Sequence, residues 1–235
     1  RDSLVGFRIV FLIAAILLLL STMIALTMKD KGKPVKRSRL YFNKKYNKFY
    51  MLEIFYGARK QIFLTFAPYA LILFYGADTS VIALLLAICA VFGMLLSPAI
   101  GMLVDKLGYK KIMVADTLIL VVVCLMYGFA HRIFPMHIAF IVVCINFVLD
   151  SIISLASMAT NVYVRDLSSS REELTATLTT GISVNHLISV MIALLGGYIW
   201  KTLGIEVLFT LSAVLGVINS IFAATIKKPE QRTLY

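Results

Sequence analysis

Gly101-Met102-Leu103-Val104-Asp105-Lys106-Leu107-Gly108-Tyr109-Lys110-Lys111 is a short polar loop set between two long apolar runs. Both flanks are long enough to cross a bilayer as helices, so the loop reads as a hairpin connection at one membrane face. Gly108 can take the positive φ that reverses the chain. Gly101, having no side chain, is expected to let two helices approach closely at the end of the incoming span. Asp105 can accept hydrogen bonds at a helix N-terminus, and Lys106, Lys110 and Lys111 are the cations expected on a cytoplasmic face.

The composition agrees with a membrane setting. Of the 235 residues 60% are hydrophobic and 15% charged, against roughly a quarter charged in soluble domains. The formal net charge of +11 could suggest nucleic acid, but the cations cluster in loops between apolar runs, as the positive-inside rule requires, and no nucleic-acid partner is expected. Cys89, Cys124 and Cys144 all fall inside apolar runs and are odd in number, so they read as small core residues without a disulfide framework.

Seven apolar stretches are long enough to span: 5–28, 49–75, 81–104, 112–130, 136–164, 174–200 and 205–226. Between the first two lies a basic segment, 29–48, with Lys29, Lys31, Lys33, Lys36, Arg37, Arg39, Lys44, Lys45 and Lys48 against Asp30 alone. Its Leu40, Phe42, Tyr46, Phe49 and Tyr50 interleave with the cations, either as an amphipathic helix on an anionic leaflet or as a solvated linker. With this segment inside, alternation also puts Lys106, Lys110, Lys111, Arg165, Arg171, Lys227, Lys228 and Arg232 inside. The outer loops keep only His131, Arg132, Lys201 and Asp78.

The order and spacing in the 101–111 loop (Gly, three residues, Asp, a cation, any residue, Gly, any residue, two cations) resemble the signature loop of the major facilitator superfamily. Counted back from it, the chain resembles the sixth helix, central linker and last six helices of a twelve-helix facilitator. The resemblance implies an all-α integral membrane fold: a six-helix bundle of two three-helix inverted repeats, plus one preceding transmembrane helix. It implies the divisions 1–28 (a helix of the N-terminal half), 29–48 (a cytoplasmic linker), 49–228 (the C-terminal bundle) and 229–235 (a cytoplasmic tail) in a multi-pass cell-membrane protein. The missing N-terminal half would supply the other wall of the cavity. The resemblance also gives Gly101, Asp105, Lys106, Gly108, Lys110 and Lys111 a gating role, with Asp105 making few long-range contacts inside this half.

Polar groups in mid-span are costly and mark candidate solute or ion paths. The 49–75 stretch carries Glu53, Tyr56, Arg59, Lys60 and Gln61, with Glu53, Tyr56 and Lys60 on one helical face. Pro68 is expected to kink it. In 136–164, Asn146, Asp150, Ser154, Ser157 and Asn161 recur at helical spacing as one polar stripe. Asp150 reads either as a proton carrier or as a static partner of Arg59 or Lys60. In 174–200, Thr175, Thr179, Ser183 and His186 share a face beside Asn185, the hydroxyls being apt to bond their own helix and His186 able to relay protons with Asp150. Ser169 or Ser170 with Glu172 or Glu173 forms a capping box at the start of that stretch. Gly196 and Gly197 are expected to allow close packing. Asp116 is expected to satisfy Lys106 or Lys111.

No phosphate-cradling glycine loop, Cys or His cluster at metal spacing, or Gly-x-Ser-x-Gly elbow is present, so neither an enzyme nor a cofactor is expected. The reading is a secondary active transporter of a small solute working by alternating access, the cations favouring an anionic solute and Asp150 and His186 being the candidates for proton coupling. Tyr56, Arg59, Lys60, Gln61, Asn146, Asp150, Asn185 and His186 would line its cavity in contact with that solute, and the lipid bilayer would be its other partner. The alternatives are a transporter-like receptor and a half-size subunit that assembles with another chain.

Overall fold

The computed structural model describes residues 2–27 and 40–226, and every regular element among them is helical. The cations at 29–39 and Lys227, Lys228 and Arg232 lie outside the described residues. Helix α1 (Asp2–Thr27) belongs to a unit of its own, residues 1–36. From Leu4 to Thr27 it is exposed on all sides. A helix that is apolar all round suits lipid rather than water.

The second unit holds α2 (Asn47–Tyr75), α3 (Thr79–Leu107), α4 (Tyr109–Ile133), α5 (Met136–Ser154), α6 (Met158–Leu167) and α7 (Arg171–Ala224). α2 continues through Pro68. The stretch expected as one helix over 136–164 is interrupted by a 3-10 turn at Leu155–Ser157, which separates α5 from α6. α7 breaks at Gly204, whose φ of 88° and ψ of 175° are open to a residue without a Cβ. Its arms, 171–203 and 205–224, correspond to the last two expected spans. Five helical stretches are long and apolar enough to cross a membrane: 4–27, α3, α4, 136–167 and α7. α2 has the length but carries Lys48, Glu53, Arg59 and Lys60.

α7 packs most extensively against α4 and α2, and α5 packs on α4 and α3. Two apolar clusters result. One centres on Phe63, Phe66, Val123, Tyr127, Val143 and Phe209. The other, at the end where α2 begins, centres on Tyr46, Phe49, Ile112, Tyr163 and Ala223. Along α2 the junction falls between Leu52 and Ile62, along α4 between Met113 and Leu120, and after α5 between Ile153 and Ala156. α2 and α4 each carry a charge at the junction, Arg59 and Asp116, and α5 carries Asp150 less than two turns before it.

Residues 40–48 follow neither course expected of them. Tyr46 is fully buried, Phe49 and Tyr50 nearly so, and only Leu40 and Phe42 among the aromatic and aliphatic side chains stand exposed. The Tyr41 N–H donates to Thr180 Oγ1 (2.8 Å), the Tyr50 hydroxyl to the Tyr41 carbonyl (2.6 Å) and the Tyr46 hydroxyl to Ser168 Oγ (3.2 Å). Lys48 Nζ donates to the Thr225 carbonyl at 2.9 Å. The segment therefore packs onto the bundle instead of lying on lipid or in water, because α7 offers its rings an apolar groove and its polar atoms partners. The Tyr46 phenol, taken out of water there, has its pKa pushed up to about 12.

The 101–111 loop is tighter than expected. Gly108 does take positive φ (83°). A Cβ at Gly101, however, would meet nothing within 4 Å, so no helix approaches it among the described residues. Asp105 sits in the last turn of α3 and caps no N-terminus; it is exposed, with no ion pair among the described residues. α4 starts instead at Tyr109 with no side-chain cap. At α7 the capping box is formed by Ser170 and Glu173: Ser170 Oγ accepts from the Glu173 N–H (3.1 Å) and Glu173 Oε2 from the Ser169 N–H (2.8 Å). Gly196 packs against Phe66 as expected, whereas Gly197 faces open space.

Candidate functional site

Arg59 is the pivot of the polar interior. Its side chain is 7% exposed, with Nη1 2.6 Å from Asp116 Oδ1 and Nη2 3.2 Å from Asp150 Oδ1, so one guanidinium joins α2, α4 and α5. Asp116 thus pairs with Arg59, not with Lys106 or Lys111. The reason is depth: α4 begins at Tyr109, so Asp116 lies ~10 Å along the axis from the loop. Of the two readings of Asp150, the ionic partnership with Arg59 is what the geometry contains.

Two open clefts flank α2. One, of about 230 Å³, is lined by Tyr56, Arg59, Lys60, Cys89, Phe147, Asp150, Ser151 and Ser154 among others. The other, of about 250 Å³, is lined by Phe49, Glu53, Tyr56, Lys60, Ser157, Asn161, Leu178, Ile182, Asn185 and His186. Tyr56 and Lys60 belong to both and form the ridge between them. The 3-10 turn after α5 divides the polar stripe between them, Asp150 and Ser154 going to the first cleft and Ser157 and Asn161 to the second.

Asp150 and His186 accordingly open on different clefts. Gln61 and Asn146 line neither. The Gln61 amide donates to Thr65 Oγ1 (2.7 Å) and Asn146, buried, donates to its own helix at the Val142 carbonyl (2.9 Å). Thr175, Thr179 and Ser183 donate to the carbonyls four residues back. Asn185 reaches across instead, its Nδ2 donating to Glu53 Oε2 at 3.2 Å. That bond depends on Gly57: a Cβ there would stand 2.6 Å from the Asn185 carbonyl oxygen, so α2 and α7 meet backbone to backbone. A glycine in mid-helix was the available signal for this approach.

Residues 49–234 match the family model of the Major Facilitator Superfamily. The chain belongs to this superfamily. The match runs from Phe49, in the first turn of α2, through α7, while α1 and residues 40–48 precede it. No curated protein and no solved structure matches the chain significantly. Major facilitators are membrane transporters, and this one presents lipid with an apolar exterior that includes Leu95, Leu118, Val122, Ile145, Leu187, Leu194 and Ile221. The small solute such a transporter moves needs a polar recess, and the two clefts beside Tyr56 and Lys60 are recesses of that kind.

Proposed function

We propose that this facilitator is a secondary active transporter of a small solute bearing an anionic group, coupled to protons at Asp150. The observation that carries the reading is the shared guanidinium. Arg59 faces two carboxylates, so the cluster holds more negative than positive charge inside an apolar bundle, and uptake of one proton brings it to neutrality. Asp150 is the carboxylate that opens on a cleft, and the ionisable groups facing that cleft with it are Arg59, Lys60, Tyr56 and Cys89. Because Arg59 is already neutralised, the anionic group of the solute falls to Lys60, with Tyr56, Asn185 and His186 as its polar surroundings.

In this reading residues 1–28 belong to an N-terminal half that closes the cavity from the other side, 29–48 form a cytoplasmic linker, 49–228 the C-terminal bundle, and 229–235 a cytoplasmic tail at the cell membrane. The exposed Asp105, with Gly101, Lys106, Gly108, Lys110 and Lys111, meets that opposite half when the cytoplasmic side shuts. Protonating Asp150 leaves Arg59 to Asp116 alone and frees α5 to shift against α2. That is the kind of two-position element alternating access requires.

The test uses the full-length protein in proteoliposomes loaded with a pH dye and offered a panel of small carboxylates and phosphates. Solute-dependent proton entry that disappears in Asp150→Asn is expected. Solute exchange that persists with no proton movement in the wild type would remove the coupling and leave the transport.

A further inference from the structure

Glu53 and Lys60 stand on the same face of α2, seven residues and ~10 Å of axial rise apart, and both line the 250 Å³ cleft. Neither makes a salt bridge. Among the described residues no Lys or Arg lies within 4.0 Å of Glu53 and no carboxylate within 4.0 Å of Lys60. The Asn185 amide fixes one Glu53 oxygen, Oε2, from α7. The two opposite charges are thus held on one wall of one recess without a salt bridge between them.

An anion on Lys60 would bring a second negative charge to Glu53, and a cation on Glu53 would do the same, with opposite sign, to Lys60. A molecule carrying both charges meets both, and the mismatch penalises either single-charge competitor. Between them the cleft offers Tyr56, Ser157, Asn161 and His186 for amide or hydroxyl groups, and Leu178 and Ile182 for a short apolar side chain. We infer that this cleft binds a small zwitterion of amino-acid or dipeptide size, its carboxylate on Lys60 and its ammonium on Glu53. The inference rests on the proposed role of Lys60 as the anion contact and adds a second, cation-reading subsite.

The experiment measures thermal midpoints of the purified full-length transporter in detergent with alanine and dialanine, with their N-acetyl forms (carboxylate only) and with their amides (ammonium only). A zwitterion in large excess over its dissociation constant should raise the midpoint by about 5 °C, and neither blocked form should do so. Glu53→Gln keeps the acceptor for Asn185, so folding is preserved. It should weaken zwitterion binding about tenfold or more and turn N-acetyl-dialanine into a stabiliser; Lys60→Gln should abolish the response to the zwitterions. Equal stabilisation of the wild type by dialanine and N-acetyl-dialanine would overturn the ammonium subsite while sparing the anionic-solute reading. Stabilisation by the amides alone would overturn both. A wild type unmoved by all six compounds, or a Glu53→Gln variant that binds dialanine like the wild type, would also overturn the zwitterion.

Discussion

Arg59 and Asp116, 57 residues apart in the chain, meet at 2.6 Å in the layer that separates the two apolar clusters. Removing the cation alone leaves two carboxylates facing each other away from bulk water. Arg59→Leu should therefore cost roughly 3–5 kcal/mol, whereas the triple change Arg59→Leu, Asp116→Asn, Asp150→Asn should recover most of that loss, since an uncharged layer needs no cation. Reversible unfolding in mixed detergent measures both. A single variant within about 1 kcal/mol of wild type would refute the ionic account, that being the ceiling of an exposed pair.

The bond between Asn185 and Glu53 holds only while α2 and α7 stay in backbone contact at Gly57. Gly57→Ala puts a methyl group against the Asn185 carbonyl oxygen and should destabilise by about 1–3 kcal/mol as the helices part. The same change at Gly101, where nothing lies within 4 Å, should not destabilise. Unfolding midpoints of the two variants, measured side by side, give the comparison.

At the N-terminus of α3, Asp78 accepts from the Ser80 hydroxyl (2.6 Å) and the Val81 N–H (3.0 Å). These bonds, the Ser80 one first, hold its carboxyl below the ordinary value of 3.8. A depressed folded pKa means that the cap contributes fully above the ordinary value and fades as pH falls through the lower, folded one. Asp78→Asn still accepts the same bonds but cannot titrate. Its midpoint should consequently fall less between about pH 5 and about pH 3 than that of the wild type; parallel curves would count against the cap.

Cleft geometry sets chemical access. In a background with Cys89, Cys124 and Cys144 replaced, Lys60→Cys and His186→Cys should react readily with a charged, water-soluble thiol reagent. Asn146→Cys, at a position only 6% exposed, should react at least about tenfold more slowly, because a thiol reacts according to its access and thiolate fraction. Mass spectrometry of timed samples reads the rates, and comparable rates at 60 and 146 would contradict the placement of Asn146.

The all-helical fold, the loop at 101–111 and the polar stripes on α2, α5 and α7 were legible because bilayer length and helical periodicity leave a direct trace in residue order. The break between α5 and α6 was not, since Leu155-Ala156-Ser157 contains neither Gly nor Pro. Nor was the partner of Asp116, because ion pairing across a bundle depends on which helices touch; depth within α4 was the only hint. Aromatic residues in 40–50 suit a membrane interface and a protein groove equally, so their pattern was visible and their destination was not. The setting of Glu53 was not legible either, since Asn185, which donates to it, lies 132 residues along the chain.

Tyr46 has a practical consequence for anyone assembling this transporter from two separately made pieces. A piece begun at residue 49, where the family match starts, would lack the ring that fills the groove beside Ser168 and the backbone that engages Thr180. Its raw edge would be an open socket at the mouth of α7. The workable cut lies upstream of Leu40, and complementation between the two pieces should succeed or fail on those few residues.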